Sequence, residues 1–184
     1  MKKRQLAIKE YKNELGVHAI MIENASYHKN FSSIVEKIIK QFLNDEKLFF
    51  GFYRTDGINL TLEQEEKLRY EIPTFFKQYG NMQNLSDYLT VARIDSKNYD
   101  YNIIPSIFDY YLETILFNSK VDWESFKQYY FDYQNQQFDD LILDKVADVL
   151  LCYVDSGDFG IYFNSQSYNF EEVRNIIVEA FSNM

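Results

Sequence analysis

The sequence predicts an α+β fold: a helix-dominated single domain over 1–184, with short antiparallel β-hairpins and a C-terminal helix. Three observations predict it. Capping signals precede apolar residues spaced i, i+3 and i+4, the mark of amphipathic helices. Short apolar and aromatic runs flank Asp56-Gly57 and Asp155-Ser156-Gly157-Asp158, and such turns join hairpin strands because Gly tolerates positive φ. The elements do not alternate as βαβ, which argues against a wound parallel sheet.

Taken in order, Lys2 to Leu15 has Leu6, Ile8, Tyr11 and Leu15 near one another at helical spacing, with Gly16 as a stop, and predicts a basic amphipathic helix. Val17 to Glu23 predicts a strand. Ser33-Ile34-Val35-Glu36 is a capping box in form, and Ile38, Ile39, Phe42 and Leu43 continue its helix. Lys47 to Tyr53 and Ile58 to Leu62 predict a hairpin around Arg54-Thr55-Asp56-Gly57. Thr61 and Gln64 cap a helix to Tyr79, broken at Pro73, which lacks an amide proton and restricts Ile72. Over 81–98 two periods compete. Leu85, Tyr88, Leu89 and Ala92 have helical spacing, Tyr88 to Ile94 also fits a strand, and the helix is the preferred reading.

Pro105 opens the next predicted helix, whose apolar face is Ile107, Phe108, Tyr111, Leu112 and Ile115; Asp109, Tyr110, Glu113 and Phe117 lie opposite. Asp122 is an N-cap for a helix with Trp123, Phe126, Tyr129, Tyr130 and Tyr133 on one face and Glu124, Lys127, Phe131 and Asp132 on the other. A helix from Phe138 to Asp148 stacks Asp140, Asp144 and Asp148 at i, i+4 and i+8. Val149 to Val154 and Gly160 to Phe163 predict a second hairpin. Asn169-Phe170-Glu171-Glu172 then opens the last helix, with Val173, Ile176, Ile177 and Ala180 facing inward.

The charge is unevenly divided. The whole chain carries −9, and residues 99–158 alone account for the same figure. Residues 1–80 hold 13 basic and 11 acidic side chains, whereas 81–184 hold 6 and 17, so the C-terminal part is suited to a basic partner. Acidity of this kind argues against sequence-independent nucleic-acid binding, which needs Lys and Arg to replace counterions along phosphates. The plainer reading is that the acids keep an aromatic-rich chain soluble. Two prolines, six glycines, no low-complexity tract and no repeat give no sign of a linker. The lone Cys152 sits in an apolar run and suits a reducing compartment. Met1-Lys2-Lys3-Arg4 is followed by no unbroken apolar segment, and no stretch reaches transmembrane length, so a cytoplasmic location without membrane contact is expected.

Catalytic and metal signatures are thin. His18 and His28 lie outside any His-Glu-x-x-His arrangement, and Cys152 lacks the electropositive setting that makes a thiolate. Asp56 with Glu65-Glu66-Lys67 has only the outline of a metal-dependent nuclease centre, and it falls on a predicted helix. No phosphate-binding glycine loop is present, and no cofactor is expected. The stacked carboxylates Asp140, Asp144 and Asp148 suit a cation, a solvated stripe or a partner-facing one; repulsion within such a stack, about 0.2–0.5 kcal/mol per pair, is relieved by a cationic partner.

The candidate partner-binding set is therefore Asp109, Tyr110, Glu113, Phe131, Asp132, Asp139, Asp140, Asp144 and Asp148. Aromatic anchors supply contact area at low entropic cost and acids steer a basic surface. The competing reading packs Tyr110, Phe117 and Phe131 beneath another element. In size, acidity and lack of a catalytic motif the chain resembles bacterial immunity proteins of toxin and immunity pairs, including contact-dependent inhibition systems; no individual residues are matched. That resemblance implies a non-enzymatic inhibitor covering the basic cleft of a toxin or nuclease. Two alternatives stand beside it: a phage-encoded anti-defence protein or nucleic-acid mimic, and an enzyme with a dispersed carboxylate, Tyr and Arg site.

Overall fold

The computed structural model describes residues 7–14, 16–43, 48–53, 80–84, 89–94, 114–132, 142–153 and 157–182. Its strands are β1 (Ala7–Lys12), β2 (Val17–Glu23), β3 (Leu48–Tyr53), β4 (Gly80–Asn84), β5 (Leu89–Ile94), β6 (Thr114–Asn118), β7 (Val149–Tyr153) and β8 (Phe159–Asn164). The helices are α1 (Phe31–Phe42), α2 (Trp123–Asp132) and α3 (Phe170–Ser182), with a π-helical turn at Ile142–Val146 and a 3-10 turn at Ala25–Tyr27. All eight strands form one antiparallel sheet in the order β1-β2-β8-β7-β6-β3-β5-β4. The fold is α+β with a C-terminal helix. Among the described residues the sheet, rather than the helices, is the largest element.

Strand alternation gives the sheet two packed faces. Leu151 and Tyr153 of β7 join Ile20, Ile22, Phe159, Ile161 and Phe163 under α1 and α3, which contribute Ile34, Val35, Ile38, Ile39, Val173, Ile177 and Phe181. Leu150 and Cys152, pointing the other way, join Val17, Ile115 and Phe117 under Phe126 of α2 and Leu143, Val146 and Ala147 of the π-turn. Ile34, Val35, Ile38 and Ile39 are fully buried. Each such burial contributes about 1.5–3 kcal/mol, against about 0.3–0.5 kcal/mol for the exposed Lys40–Glu36 pair on the outer side of α1. Packing, not surface charge, holds α1 in place.

The hairpin of β7 and β8 forms as the sequence predicts, in register from Val149↔Phe163 to Tyr153↔Phe159. Gly157 in its connection adopts φ 85, where no Cβ is tolerated cheaply, and its carbonyl accepts the Ser26 amide at 3.0 Å. The predicted cap of α2 forms, as does the Asn169 half of the reciprocal cap predicted for α3. Asp122 Oδ1 accepts the Ser125 amide at 2.9 Å, and Asn169 Oδ1 accepts those of Glu171 and Glu172 at 3.0 and 3.3 Å.

Several predictions from local pattern are overturned by non-local pairing. Within the segment read as a basic N-terminal helix, Ala7–Lys12 is strand β1, paired with β2 from Ala7↔Glu23 to Lys12↔His18, and Gly16, at φ 79, lies in the turn of that hairpin instead of ending a helix. α1 starts at Phe31, not at a Ser33 cap, because Phe31 is drawn into the core; Asn30 precedes it without a side-chain cap. β3 is held by β5 on one edge and β6 on the other. Within 81–98, the described residues 81–84 and 89–94 belong to β4 and β5 rather than to a helix.

The end of the helix predicted from Pro105 is strand β6. Its Ile115 and Phe117 point to the same face and are buried, so Phe117 is a core residue and not an exposed anchor. The hairpin strand at 58–62, the helix at 61–79 and the body of the helix from Pro105 lie outside the described residues.

Candidate partner-binding surface

The predicted acidic stripe has a different geometry from the one its spacing implies. A π-helical turn, not an α-helix, spans Ile142–Val146; Asp144 lies within it and Asp148 lies beyond it, just before β7. The α-helical stacking of Asp144 under Asp148 is therefore broken. Leu143, Val146 and Ala147 are all buried against the sheet, which anchors this turn just before the chain enters β7.

Asp148 is the one member of the candidate set whose side-chain contacts are described. Lys120 Nζ donates to its Oδ1 at 2.7 Å, and Ser167 Oγ donates to the same oxygen at 2.7 Å. Burial pushes the carboxyl up, but the hydrogen bonds from Lys120 and Ser167, with the Lys120 charge, outweigh it and hold Asp148 below its ordinary 3.8. The Lys120 amide reaches Val146 O at 2.7 Å, Asn164 Nδ2 reaches Leu143 O at 3.3 Å and the Asn164 amide reaches Asp148 O at 3.0 Å. Three stretches of chain, after β6, before β7 and after β8, are tied there. Tyr168 is pushed above its ordinary value by burial and by the neighbouring Asp148 charge.

Phe131 and Asp132 form the last turn of α2. Asp109, Tyr110, Glu113, Asp139 and Asp140 lie outside the described residues. The inward face of α2 is as the spacing predicts, with Phe126 fully buried and Trp123, Tyr129 and Tyr130 packed against the same cluster. Outside, Glu124 is 79% exposed and pairs with Lys127 at 2.8 Å. Asp122 is held below its ordinary value chiefly by the Ser125 amide and hydroxyl.

Sequence reasoning left out a second acidic surface. Glu171, Glu172 and Glu179 of α3 are exposed, the first two at the helix N-terminus, where the macrodipole favours them. α2 and α3 cover opposite faces of the sheet, so these acids do not merge with those of α2. The exposed positions of a C-terminal helix were the only signal for them.

The histidines and the cysteine have packing roles. His18 is wedged edge-on to Phe163 and Phe170, with ring centroids 5.6 and 5.5 Å away. Burial, then the Lys12 charge, depresses its pKa below 6.5. His28 accepts the Asn30 amide through Nδ1 at 3.3 Å and abuts Phe181. Cys152 is buried beside Gly160, where a Cβ would lie 2.8 Å from its sulfur. Among the described residues no three His, Cys, Asp or Glu side chains gather in a way that would hold a metal, and no helix is long and apolar enough to cross a membrane. No protein-family model, curated protein or solved structure matches the chain.

Proposed function

We infer that the chain is a non-enzymatic, acidic inhibitor that binds a basic protein and covers its working surface. The reading is that of a bacterial immunity protein acting in the cytoplasm on a cognate toxin, a nuclease with a basic cleft being the best-suited target. One observation carries it: residues 81–184 hold 17 acids against 6 bases while the first 80 residues are near balance. A one-signed field of this size speeds encounter with an oppositely charged cleft and competes with phosphates for it.

The internal tie of Asp148 refines the proposed surface. A carboxylate already held by Lys120 and Ser167 has little charge left to offer, so Asp148 anchors the π-turn. The binding residues are then Asp109, Tyr110, Glu113, Phe131, Asp132, Asp139, Asp140 and Asp144.

The test is affinity capture of lysate from the source organism, and of the adjacent gene's product, on tagged protein, followed by a salt titration of what is retained. A stoichiometric, salt-sensitive complex with a basic enzyme whose activity falls supports the reading. Retention of no basic protein, or of one that stays fully active in the complex, ends it.

A further inference from the structure

Among the described residues β1 is an outer edge of the sheet. Among those residues β1 pairs with β2 alone, five of its six residues are exposed, and Tyr11 is 52% exposed. An unpaired edge is a template for another strand unless its side chains guard it. Here the charged side chains are engaged within the chain. Lys9 pairs with Glu23, Glu10 accepts Arg174 Nε at 2.7 Å, and Lys12 Nζ lies 4.7 Å from the centroid of the Phe170 ring. These contacts lie on the two faces of the sheet and leave the Lys9 and Glu10 side chains 54% and 41% exposed, so they still meet the side chains of an added strand.

We propose that β1 pairs antiparallel with β1 of a second copy, through a two-fold axis at Tyr11. A two-fold perpendicular to the sheet preserves its faces, so only residues on the same face stand opposite one another. Three symmetric registers keep several residues paired. Centring on Lys9 sets Lys9 against its own copy, and centring on Glu10 does the same for Glu10; like charges directly opposite are destabilising. Centring on Tyr11 sets Tyr11 against Tyr11 and Glu10 against Lys12 on both sides of the axis. That register alone turns the charges into complementary pairs and gives the exposed ring an aromatic partner. The inference does not depend on the inhibitor reading.

Sedimentation velocity of the full chain over a wide concentration range reads the result. The expected outcome is a concentration-dependent species of twice the 22.1 kDa chain mass. Opposed strand residues have Cα atoms about 4.5–5.5 Å apart, within disulfide reach. Tyr11→Cys is therefore expected to form a disulfide-linked dimer on mild oxidation, since the native Cys152 is buried, whereas exposed Ser165→Cys is not. Glu10→Lys is expected to dissociate the dimer, and the swap Glu10→Lys with Lys12→Glu to restore it, with circular dichroism confirming that each variant folds. A chain that stays monomeric throughout overturns the proposal. So does a dimer that neither cross-links through residue 11 nor responds to Glu10→Lys.

Discussion

Lys120 and Asp148, 28 residues apart in sequence, meet at 2.7 Å, and Ser167 completes the contact from beyond β8. The pair pins the π-turn between two central strands of the sheet. Both side chains are more than a third exposed or close to it, so solvent screening limits the ion pair itself to about 0.2–1 kcal/mol. Asp148→Ala is expected to destabilise by about 1 kcal/mol, lowering Tm by about 2–4 °C, and a double-mutant cycle with Lys120→Ala should show that the two losses are not additive. Full additivity would remove the pair from the account of the π-turn.

The same carboxyl predicts a pH window. Its folded pKa is depressed, so its stabilisation is present above the unfolded value near 3.8 and is lost as pH falls through the lower folded value. Denaturant titrations of wild type and Asp148→Asn should therefore differ at neutral pH and converge in strong acid. A gap that stays constant into acid would mean that the lost stability is packing and not charge.

His18 acts in the opposite range. Its neutral form fits between Phe163 and Phe170, and burial followed by the Lys12 charge depresses its pKa. Stability from the neutral ring is intact above 6.5 and falls as pH drops toward the folded value, because the unfolded chain takes up the proton first. His18→Phe, which keeps an aromatic ring, is expected to flatten the stability profile between neutral and mildly acidic pH. An unchanged slope would assign that acid sensitivity to other groups.

At Gly160 the close approach is steric. A Cβ would stand 2.8 Å from Cys152 Sγ, 2.9 Å from Met21 Cε and 3.1 Å from Tyr162 Cε2. Met21 can swing its flexible end away, but Cys152 is fixed on the neighbouring strand by the Cys152↔Gly160 register. Gly160→Ala is expected to cost about 1–3 kcal/mol through overpacking, with part recovered in the Gly160→Ala, Cys152→Ala double variant. Thermal unfolding of the four proteins in that cycle reads the outcome.

What the sequence discloses and what it hides divide along local and non-local physics. Asp122 and Asn169 are legible because a cap acts within one helical turn, and Gly157 because a turn is equally local. β1 was hidden because Ile8, Tyr11 and Leu15 also satisfy helical spacing; the decision rests with β2, whose free edge rewards an extended partner. Residues 88–94 satisfy two periods at once, and only pairing with β3 and β4 settles the matter. For the candidate surface, spacing marked Asp148 as an open acid. Its partners Lys120 and Ser167 are distant in sequence, and no periodicity announces them.

The acidic surface itself is tested most directly by charge reversal. Asp140→Lys with Asp144→Lys is expected to slow association with a basic partner at low salt, and the difference from wild type should shrink as salt rises, since exposed charges more than about 10 Å apart are screened at 0.1 M. Asp148→Lys does not belong in that variant, because it opposes Lys120 and would loosen the π-turn. Circular dichroism separates the two cases: loss of fold in the double reversal means that these positions are buried, whereas a folded variant binding at the wild-type rate at every salt concentration removes Asp140 and Asp144 from the interface. Glu171→Lys with Glu172→Lys provides the contrast, because α3 covers the face of the sheet opposite to α2. A partner approaching the α2 face leaves that variant's association rate nearly unchanged, while one approaching α3 reverses the order of the two effects.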